Sequence, residues 1–317
     1  YTWKFNPMRV SPRILNIISM NCMYRNFCFL HPKAGFPCQP FSLAGAKKGM
    51  KDGRSNIIDH VVKSIDIGRP RAFVLENVEG LVTQHADVLK KILTDLGNIG
   101  RGEYNIKARM LNTRDHGVPQ NRRRLFIIGI QSKFDTGSFQ FPESIGHGGI
   151  QTILNPLQKN SAAALRTSFP PASQKTAQGN FLQTIKELME NGYQPFDVDV
   201  ISDLDSTNVR WMEDVSPCLT SARAAAGGFW VTSRGRRFEW DEMMLLNAYP
   251  PKRIQPNISE RQLMKMVGNG MSVNVLERLF YRLLPAAQLS KQSELHAQWE
   301  SLDMAQKTLN TMRLRSA

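Results

Sequence analysis

The sequence predicts an α/β fold with a doubly wound sheet, because strand and helix patterns alternate along its first half. Residues 72–75 and 125–130 are short apolar runs with the composition of buried strands. Between them, apolar residues recur at helical spacing over residues 86–96. With 317 residues, the chain is long enough to form two domains.

The elements follow in order along the chain. A strand within residues 26–36 precedes a helix over 56–67, and the strand 72–75 ends at Glu76. An open parallel sheet places its ligands at such strand ends. Strands at 103–111 and 125–130 follow the helix at 86–96, and further helices are predicted over 181–189 and 272–284. Apolar residues from Leu295 to Leu309 predict a C-terminal helix packed on the body, with a partner-binding helix as the alternative.

The charge of the chain favours an anionic partner. Lys and Arg exceed Asp and Glu enough to give a net charge of +14, and nucleic acid is the obvious partner for such a protein. A merely basic enzyme is the alternative. No apolar run is long enough to span a bilayer, and no secretory signal is present. We therefore expect a nuclear or cytoplasmic protein with reduced cysteines.

The histidines and cysteines show no metal-binding spacing, so no metal is predicted. His116 lies beside the arginine motif described below. We interpret it as structural, with an approach to DNA as the alternative.

Four short motifs carry the candidate chemistry. Pro37-Cys38-Gln39 opens a basic, glycine-containing loop over residues 40–56, and Glu76-Asn77-Val78 ends a strand. Gln120-x-Arg122-x-Arg124 leads into the strand at 125–130, and Gly268-Asn269-Gly270 precedes the helix at 272–284. Pro37 stiffens the backbone that presents Cys38. Taken alone, Cys38 is a small buried cysteine in a turn.

In this order and spacing, the four motifs resemble the cytosine-5 DNA methyltransferase family, over about residues 35 to 284. The resemblance implies a Rossmann-like large domain with a smaller target-recognition domain. It also implies S-adenosylmethionine as cofactor and double-stranded DNA as substrate. Two alternatives stay open: a transfer-RNA cytosine-5 methyltransferase, and a non-catalytic nucleic-acid-binding fragment without a cofactor site.

The resemblance assigns roles to individual residues. Cys38 is the thiolate that adds to carbon 6 of a cytosine extruded from the duplex. Glu76 meets ring nitrogen 3, with its proton retained by desolvation at an apolar strand end. Arg124 holds the exocyclic oxygen, and Arg122, on the same strand face, supports the site. The alternative for these arginines is a phosphate-binding or solvated patch.

Further residues are expected around the cofactor and the base. Pro37 and Asn269 are predicted to contact the cofactor, with Asn269 at the N-terminal end of the last helix or, alternatively, a cap residue. The expected substrate contacts are Gln39, Ser42, Asn77 and Gln120. Gly270-Met271 departs from the small and apolar pair more usual in the family, and Cys218 is interpreted as structural.

The domain prediction follows the motifs. Residues 35–130 and 265–284 form the catalytic domain, 131–264 the target-recognition domain and 285–317 a helical tail. Within the recognition region, Arg223, Arg234, Arg236 and Arg237 are candidates for phosphate or base contacts.

Residues 1–34 contain no glycine and no acidic residue, so they cannot supply the glycine-rich cofactor turn and ribose-binding acid that the family carries. We expect an N-terminally truncated or misassembled sequence. A diverged, cofactor-deficient protein is the alternative.

Overall fold

The computed structural model describes residues 27–29, 57–156, 169–254 and 257–313. Pro37, Cys38, Gln39 and Ser42 therefore lie outside the described residues, as does the basic loop that follows them. The described chain forms two compact units. The first contains the described residues up to Leu111 with Arg123–Glu143 and Glu277–Ala297; the second contains Asn112–Arg122, Ser144–Leu276 and the chain from Gln298 onward.

The first unit is built on a four-stranded sheet in the order β1-β2-β5-β3. Its strands are β1 (Phe27–Phe29), β2 (Ala72–Val78), β3 (Tyr104–Asn112) and β5 (Arg123–Gln131). β1 runs parallel to β2, and β5 runs antiparallel to β2. Gly129 faces Phe73 across this pair, and a side chain at position 129 would collide with the phenylalanine ring.

Helices of the first unit bury one apolar stripe each. α1 (Ile57–Gly68) is followed by the single turn α2 (Gly80–Thr83) and by α3 (Ala86–Asn98). α3 buries Val88, Ile92 and Leu96 at intervals of four residues, as an amphipathic helix requires. These side chains join the apolar residues of β2 and β5 in one core.

The predicted α/β class is confirmed, with two corrections. The sheet is mixed rather than wholly parallel, because β5 is antiparallel to β2. β2 continues to Val78, so Glu76 lies within a strand rather than at its end. The polar pair Glu76-Asn77 interrupts the apolar run, but the ladder to β5 continues through both residues.

The second unit contains a small antiparallel sheet in the order β10-β9-β7-β8 and a two-stranded pair of β4 with β6. The strands are β4 (His116–Gly117), β6 (Gly146–His147), β7 (Val200–Ser202), β8 (Trp211–Glu213), β9 (Trp230–Val231) and β10 (Arg236–Arg237). Its helices are α4 (Lys175–Glu190), α5 (Ser221–Ala225), α6 (Trp240–Leu245), α7 (Glu260–Asn269) and α9 (Leu302–Met312). α8 (Val273–Ala286) begins in this unit.

Helices predicted in the second half are present with different bounds. α4 is longer than the predicted 181–189, because Ala177 joins Phe181, Thr184 and Leu188 on its buried face. The C-terminal helix begins later than expected, and Trp299, Ala305 and Leu309 belong to the core of the second unit. The described helices include none that is long and apolar enough to cross a membrane.

The boundaries of the two units differ from the predicted domain boundaries. The prediction assigned residues 35–130 and 265–284 to the catalytic domain and residues 131–264 to the target-recognition domain. In the structure, the segment Asn112–Arg122 belongs with the second unit and Arg123–Glu143 with the first. The arginine motif therefore contributes Arg122 to one unit and Arg124 to the other.

Candidate active site

Glu76 and Arg124 form an ion pair across the two central strands of the first unit. Arg124 lies opposite Val78 in the antiparallel register, which places it diagonally from Glu76 on the same face of the sheet. Its Nε lies 3.0 Å from Oε1 of Glu76. The side chains are 16% and 8% exposed, respectively. The sequence predicted an apolar environment for the carboxyl group of Glu76, but the guanidinium of Arg124 lies beside it.

Asn77 lies on the opposite face of β2 and is almost fully buried. Its Oδ1 accepts a hydrogen bond from the backbone N–H of Val78 at 2.8 Å. Its Nδ2 has no hydrogen-bond partner within the described part of the chain.

The sequence predicted Arg122 and Arg124 on one strand face. This is wrong, because β5 begins at Arg123 and Arg122 precedes it. It is buried, and its guanidinium donates to the carbonyl oxygens of Leu219 at 3.0 Å and Gly270 at 2.7 Å. Nη1 also lies 3.5 Å from Sγ of Cys218. Gly270 directly follows α7, so Arg122 places a positive charge at the carboxyl end of that helix.

Gln120 is fully buried, and its carboxamide is engaged by the protein. Nε2 donates to Leu246 O and, at 3.0 Å, to Oδ1 of Asn247, while Oε1 accepts from the N–H of Leu219 at 2.9 Å. A direct substrate contact, as predicted for Gln120, would require these bonds to break. The arrangement instead favours a supporting role.

Asn247 joins this buried polar cluster and was missed by sequence reasoning. Its Nδ2 donates to Val267 O at 2.7 Å, and its Oδ1 also accepts from the Ser272 hydroxyl at 3.3 Å. Ser272 in turn lies 2.7 Å from the hydroxyl of Thr113. A single asparagine among the apolar residues of 243–248 was the only sequence signal.

The glycines of the Gly268-Asn269-Gly270 motif are required by packing. A Cβ at Gly268 would lie 2.5 Å from Thr220 O, and one at Gly270 would collide with the Tyr249 hydroxyl. Asn269 itself is exposed. Asn269 is the last residue of α7. The sequence predicted it at the N-terminal end of the next helix, α8, but that helix begins at Val273.

The four arginines expected to contact DNA are all engaged inside the second unit. Arg223, Arg236 and Arg237 form ion pairs with Asp203, Glu242 and Asp205 at 2.8–2.9 Å. Arg234 donates to Asn155 O at 3.1 Å and to Gln151 Oε1 at 2.7 Å. Their side chains therefore stabilise the unit.

The electrostatics of two of these arginines differ. Burial lowers the pKa of Arg234 from its ordinary value. Burial also acts to lower the pKa of Arg236, but hydrogen bonding to Glu242 and the carboxylates around it outweigh burial, so this pKa is raised. Arg236 is thus held as a cation against Glu242.

His116 is buried in β4, and its backbone oxygen accepts from Asn274 Nδ2 at 2.8 Å. This agrees with the structural interpretation. Among the described residues, no group of three or more potential ligands could hold a metal ion.

Asn269 offers a carboxamide that fits the amino-acid end of S-adenosylmethionine. That end carries an ammonium and a carboxylate, and a carboxamide has one acceptor and one donor group to match them. Asn269 is exposed at the end of a helix, so its side chain is accessible to a ligand. At Gly268 and Gly270 the space beside the backbone is already filled by Thr220 and Tyr249, so a cofactor cannot approach these glycines on that side.

The mixed α/β architecture of the first unit is that of a Rossmann-like fold. Two solved structures share the fold: the Entamoeba histolytica methyltransferase EhMeth, at a TM-score of 0.56 with 18% identity over 88% of this chain and 81% of that one, and a prophage-encoded DNA modification methyltransferase from E. coli, at 0.52 with 16% identity over 88% and 84%.

The chain belongs to the C-5 cytosine-specific DNA methylase family, whose model matches residues 33–284. It is 29% identical to the type II methyltransferase M.HaeII of Haemophilus aegyptius over 78% of this chain and 71% of that enzyme. It is 30% identical to M.NgoBI of Neisseria gonorrhoeae over 77% and 70%. Against M.HgiBI of Herpetosiphon aurantiacus, identity rises to 41%, but the match spans only 34% of this chain and 24% of that enzyme.

Proposed function

We propose that the chain transfers a methyl group from S-adenosylmethionine to carbon 5 of cytosine in DNA, through a covalent adduct with Cys38. The observation that carries this proposal is the Glu76–Arg124 pair, at 3.0 Å. Ring nitrogen 3 and the exocyclic oxygen are neighbours on one edge of cytosine. Groups that contact both at once must themselves be neighbours, as these two side chains are.

Carbon 5 of cytosine is a poor nucleophile, and the proposed role of Cys38 is to activate it. The thiolate forms a bond from Sγ to carbon 6, and the electron pair displaced from the ring moves toward nitrogen 3. Glu76 relays a proton from water to nitrogen 3, which leaves an enamine whose carbon 5 is nucleophilic. When bound, S-adenosylmethionine supplies an electrophilic methyl group on sulfur. Water then removes the proton from carbon 5, the electron pair of that C–H bond forms the ring double bond and expels the Cys38 thiolate, and nitrogen 3 returns its proton through Glu76, which restores the aromatic ring.

Arg124 and Asn269 are the proposed binding residues within the described chain. The guanidinium of Arg124 donates to the exocyclic oxygen and orients the ring against Glu76. Asn269 holds the amino-acid end of the cofactor. Because the target carbon lies inside a duplex, the base is extruded before reaction, at a cost of roughly a few kcal/mol.

The proposal is tested by following a radioactive methyl group from S-adenosylmethionine into cytosine-containing duplex DNA and, in parallel, into transfer RNA. We expect 5-methylcytosine in the DNA and none with Cys38→Ser, which should still bind DNA. Labelling of transfer RNA alone would favour the RNA alternative. DNA binding without labelling of either would favour a non-catalytic fragment.

A further inference from the structure

We propose that Asn247 is a positioning residue that fixes the cofactor-binding turn to the arginine loop. This inference rests on the proposed function, which gives Asn269 its cofactor contact. It concerns the segment 268–272, called here the GNG turn, and the segment 119–122, called here the arginine loop. Asn247 lies outside the four motifs, and its only sequence signal is its place among the apolar residues of 243–248.

One residue holds both ends of the GNG turn. The side chain of Asn247 donates to Val267 O at 2.7 Å, just before the turn. Its backbone oxygen accepts from the N–H of Val273 at 3.0 Å, just after the turn. Asn269 therefore lies in a five-residue segment, 268–272, whose two flanking residues are bonded to the same asparagine.

The same side chain bonds the arginine loop. Oδ1 of Asn247 accepts from Gln120 Nε2 at 3.0 Å, and Gln120 lies two residues before Arg122. Arg122 reaches back to the turn through Gly270 O at 2.7 Å. Loop and turn are thus joined at two points, one through Asn247 and one through Arg122.

Burial makes these bonds consequential. Asn247 and Gln120 are both fully buried, so water cannot replace a bond that is removed, and an unpaired buried group costs more than its bond contributes. Satisfied buried polar networks of this kind rigidify the segments they join. The expected result is a GNG turn held in one conformation before the cofactor arrives.

Hydrogen exchange in the free protein tests this placement without any ligand. Asn247→Leu keeps the branching and the number of heavy atoms of the side chain and removes its hydrogen bonds. We expect exchange of the Gly270 amide, which donates to Val267 O at 3.0 Å, to accelerate about tenfold or more, the factor that 1.4 kcal/mol represents. Asn155→Leu is the matched control, because Asn155 is also buried but bonds Glu239 and Asp241. It should leave exchange in 267–273 unchanged.

Calorimetry extends the test to the cofactor. Asn247→Leu should weaken S-adenosylmethionine binding by about tenfold and leave DNA affinity nearly unchanged, with no such effect in Asn155→Leu. Gln120→Met should weaken binding through the same network, so the double variant should lose less than the product of the single losses. A simple product would contradict the shared network.

Two outcomes separate the inference from the function on which it rests. If unmodified protein binds no S-adenosylmethionine, the proposed function fails, while exchange at Gly270 still decides whether Asn247 holds the turn. Unchanged exchange in folded Asn247→Leu overturns the inference. If that variant does not fold, Ser272→Ala, which removes a single hydroxyl from the same cluster, replaces it. Accelerated exchange at Gly270 is then expected, and unchanged exchange would contradict the inference.

Discussion

At the residue scale, the Glu76–Arg124 pair is the feature with the clearest chemical meaning. Antiparallel pairing of β2 with β5 places the two side chains on one face of the sheet. The sequence motifs alone indicated Glu76 and Arg124 as site residues. Their contact, however, depends on the register between two strands that lie about 50 residues apart in the chain.

Glu76→Gln should slow covalent addition about 10²–10⁴-fold, the usual contribution of a general acid. A glutamine cannot deliver a proton to ring nitrogen 3. Rapid-quench measurement of the adduct checks this. The matched control is Glu79→Gln, because Glu79 directly follows β2 and pairs at 3.0 Å with the more exposed Arg123 at the start of β5. Adduct formation at the normal rate in Glu76→Gln would remove the role assigned to this residue.

Ala248 adopts a left-handed backbone conformation, with φ of 55°, although it is fully buried. An alanine in this region is strained relative to glycine by about 1–2 kcal/mol, and glycine loses part of that advantage through its unfolded-state entropy. Ala248→Gly also loses a buried methyl group worth about 0.8 kcal/mol, so the free energy of unfolding should change by no more than about 0.5 kcal/mol. Chemical denaturation measures the change. Ala224→Gly, inside α5, should instead destabilise, and equal losses in both variants would contradict the strain.

At the element scale, Glu242 on α6 links three parts of the second unit. It is fully buried and accepts two bonds from Arg236, at 2.8 Å each, and one from each of the N–H groups of Asn155 and Glu239, at 2.7 Å. Four donors converge on one carboxylate. The arrangement explains why Arg236, which sequence reasoning assigned to DNA, is held inside the unit.

Glu242→Gln should destabilise the protein by about 1–3 kcal/mol, because it points an amide N–H₂ at other donors and removes the nearer carboxylate from the partly exposed Arg236, which keeps only its longer pair with Glu239 at 3.5 Å. Asp303→Asn is the control, since Asp303 forms an exposed pair with Lys307 one helical turn away; its loss should be barely measurable. Similar unfolding midpoints for Glu242→Gln and the unmodified protein would show that the cluster contributes little.

Exposed cations without an acidic partner among the described residues are better candidates for phosphate contacts. Arg261, Lys265 and Asn269 follow one another at four-residue intervals on an exposed face of α7. If Arg261 and Lys265 each neutralise one phosphate, Arg261→Gln with Lys265→Gln should reduce the salt slope of DNA binding by about 2. Lys186→Gln with Lys307→Gln is the control, because these lysines pair with Glu190 and Asp303. Equal slopes for both double variants would exclude the α7 contacts.

Periodicity predicted α3 and the core of β5, because both bury regular apolar patterns. It ended β2 too early, because Glu76 and Asn77 are held in the strand by pairing with β5, not by their own composition. Charge could not show that Arg223, Arg236 and Arg237 are paired, since Asp203, Asp205 and Glu242 become neighbours only in the fold.

At the scale of the whole molecule, the second unit extends beyond the family match. That match ends at residue 284, whereas the unit includes the described chain from Gln298 onward. Trp299, Ala305 and Leu309 are buried in its core, and Ala305 packs directly against Gly117. The tail predicted as a helix on the body is thus part of the unit that holds the arginine loop. The net charge of +14 is spread over a chain in which several arginines are internally paired.

The most direct measurement is covalent capture on duplex DNA that carries 5-fluorocytosine at the target position, in the presence of S-adenosylmethionine. Fluorine at carbon 5 cannot leave as a proton does, so the adduct is trapped. We predict a DNA–protein complex that resists denaturation, with peptide mass spectrometry locating the bond at Cys38 and no complex for Cys38→Ser. A trapped complex at another residue, or methylated cytosine without any trapped Cys38 adduct, would contradict the proposed mechanism.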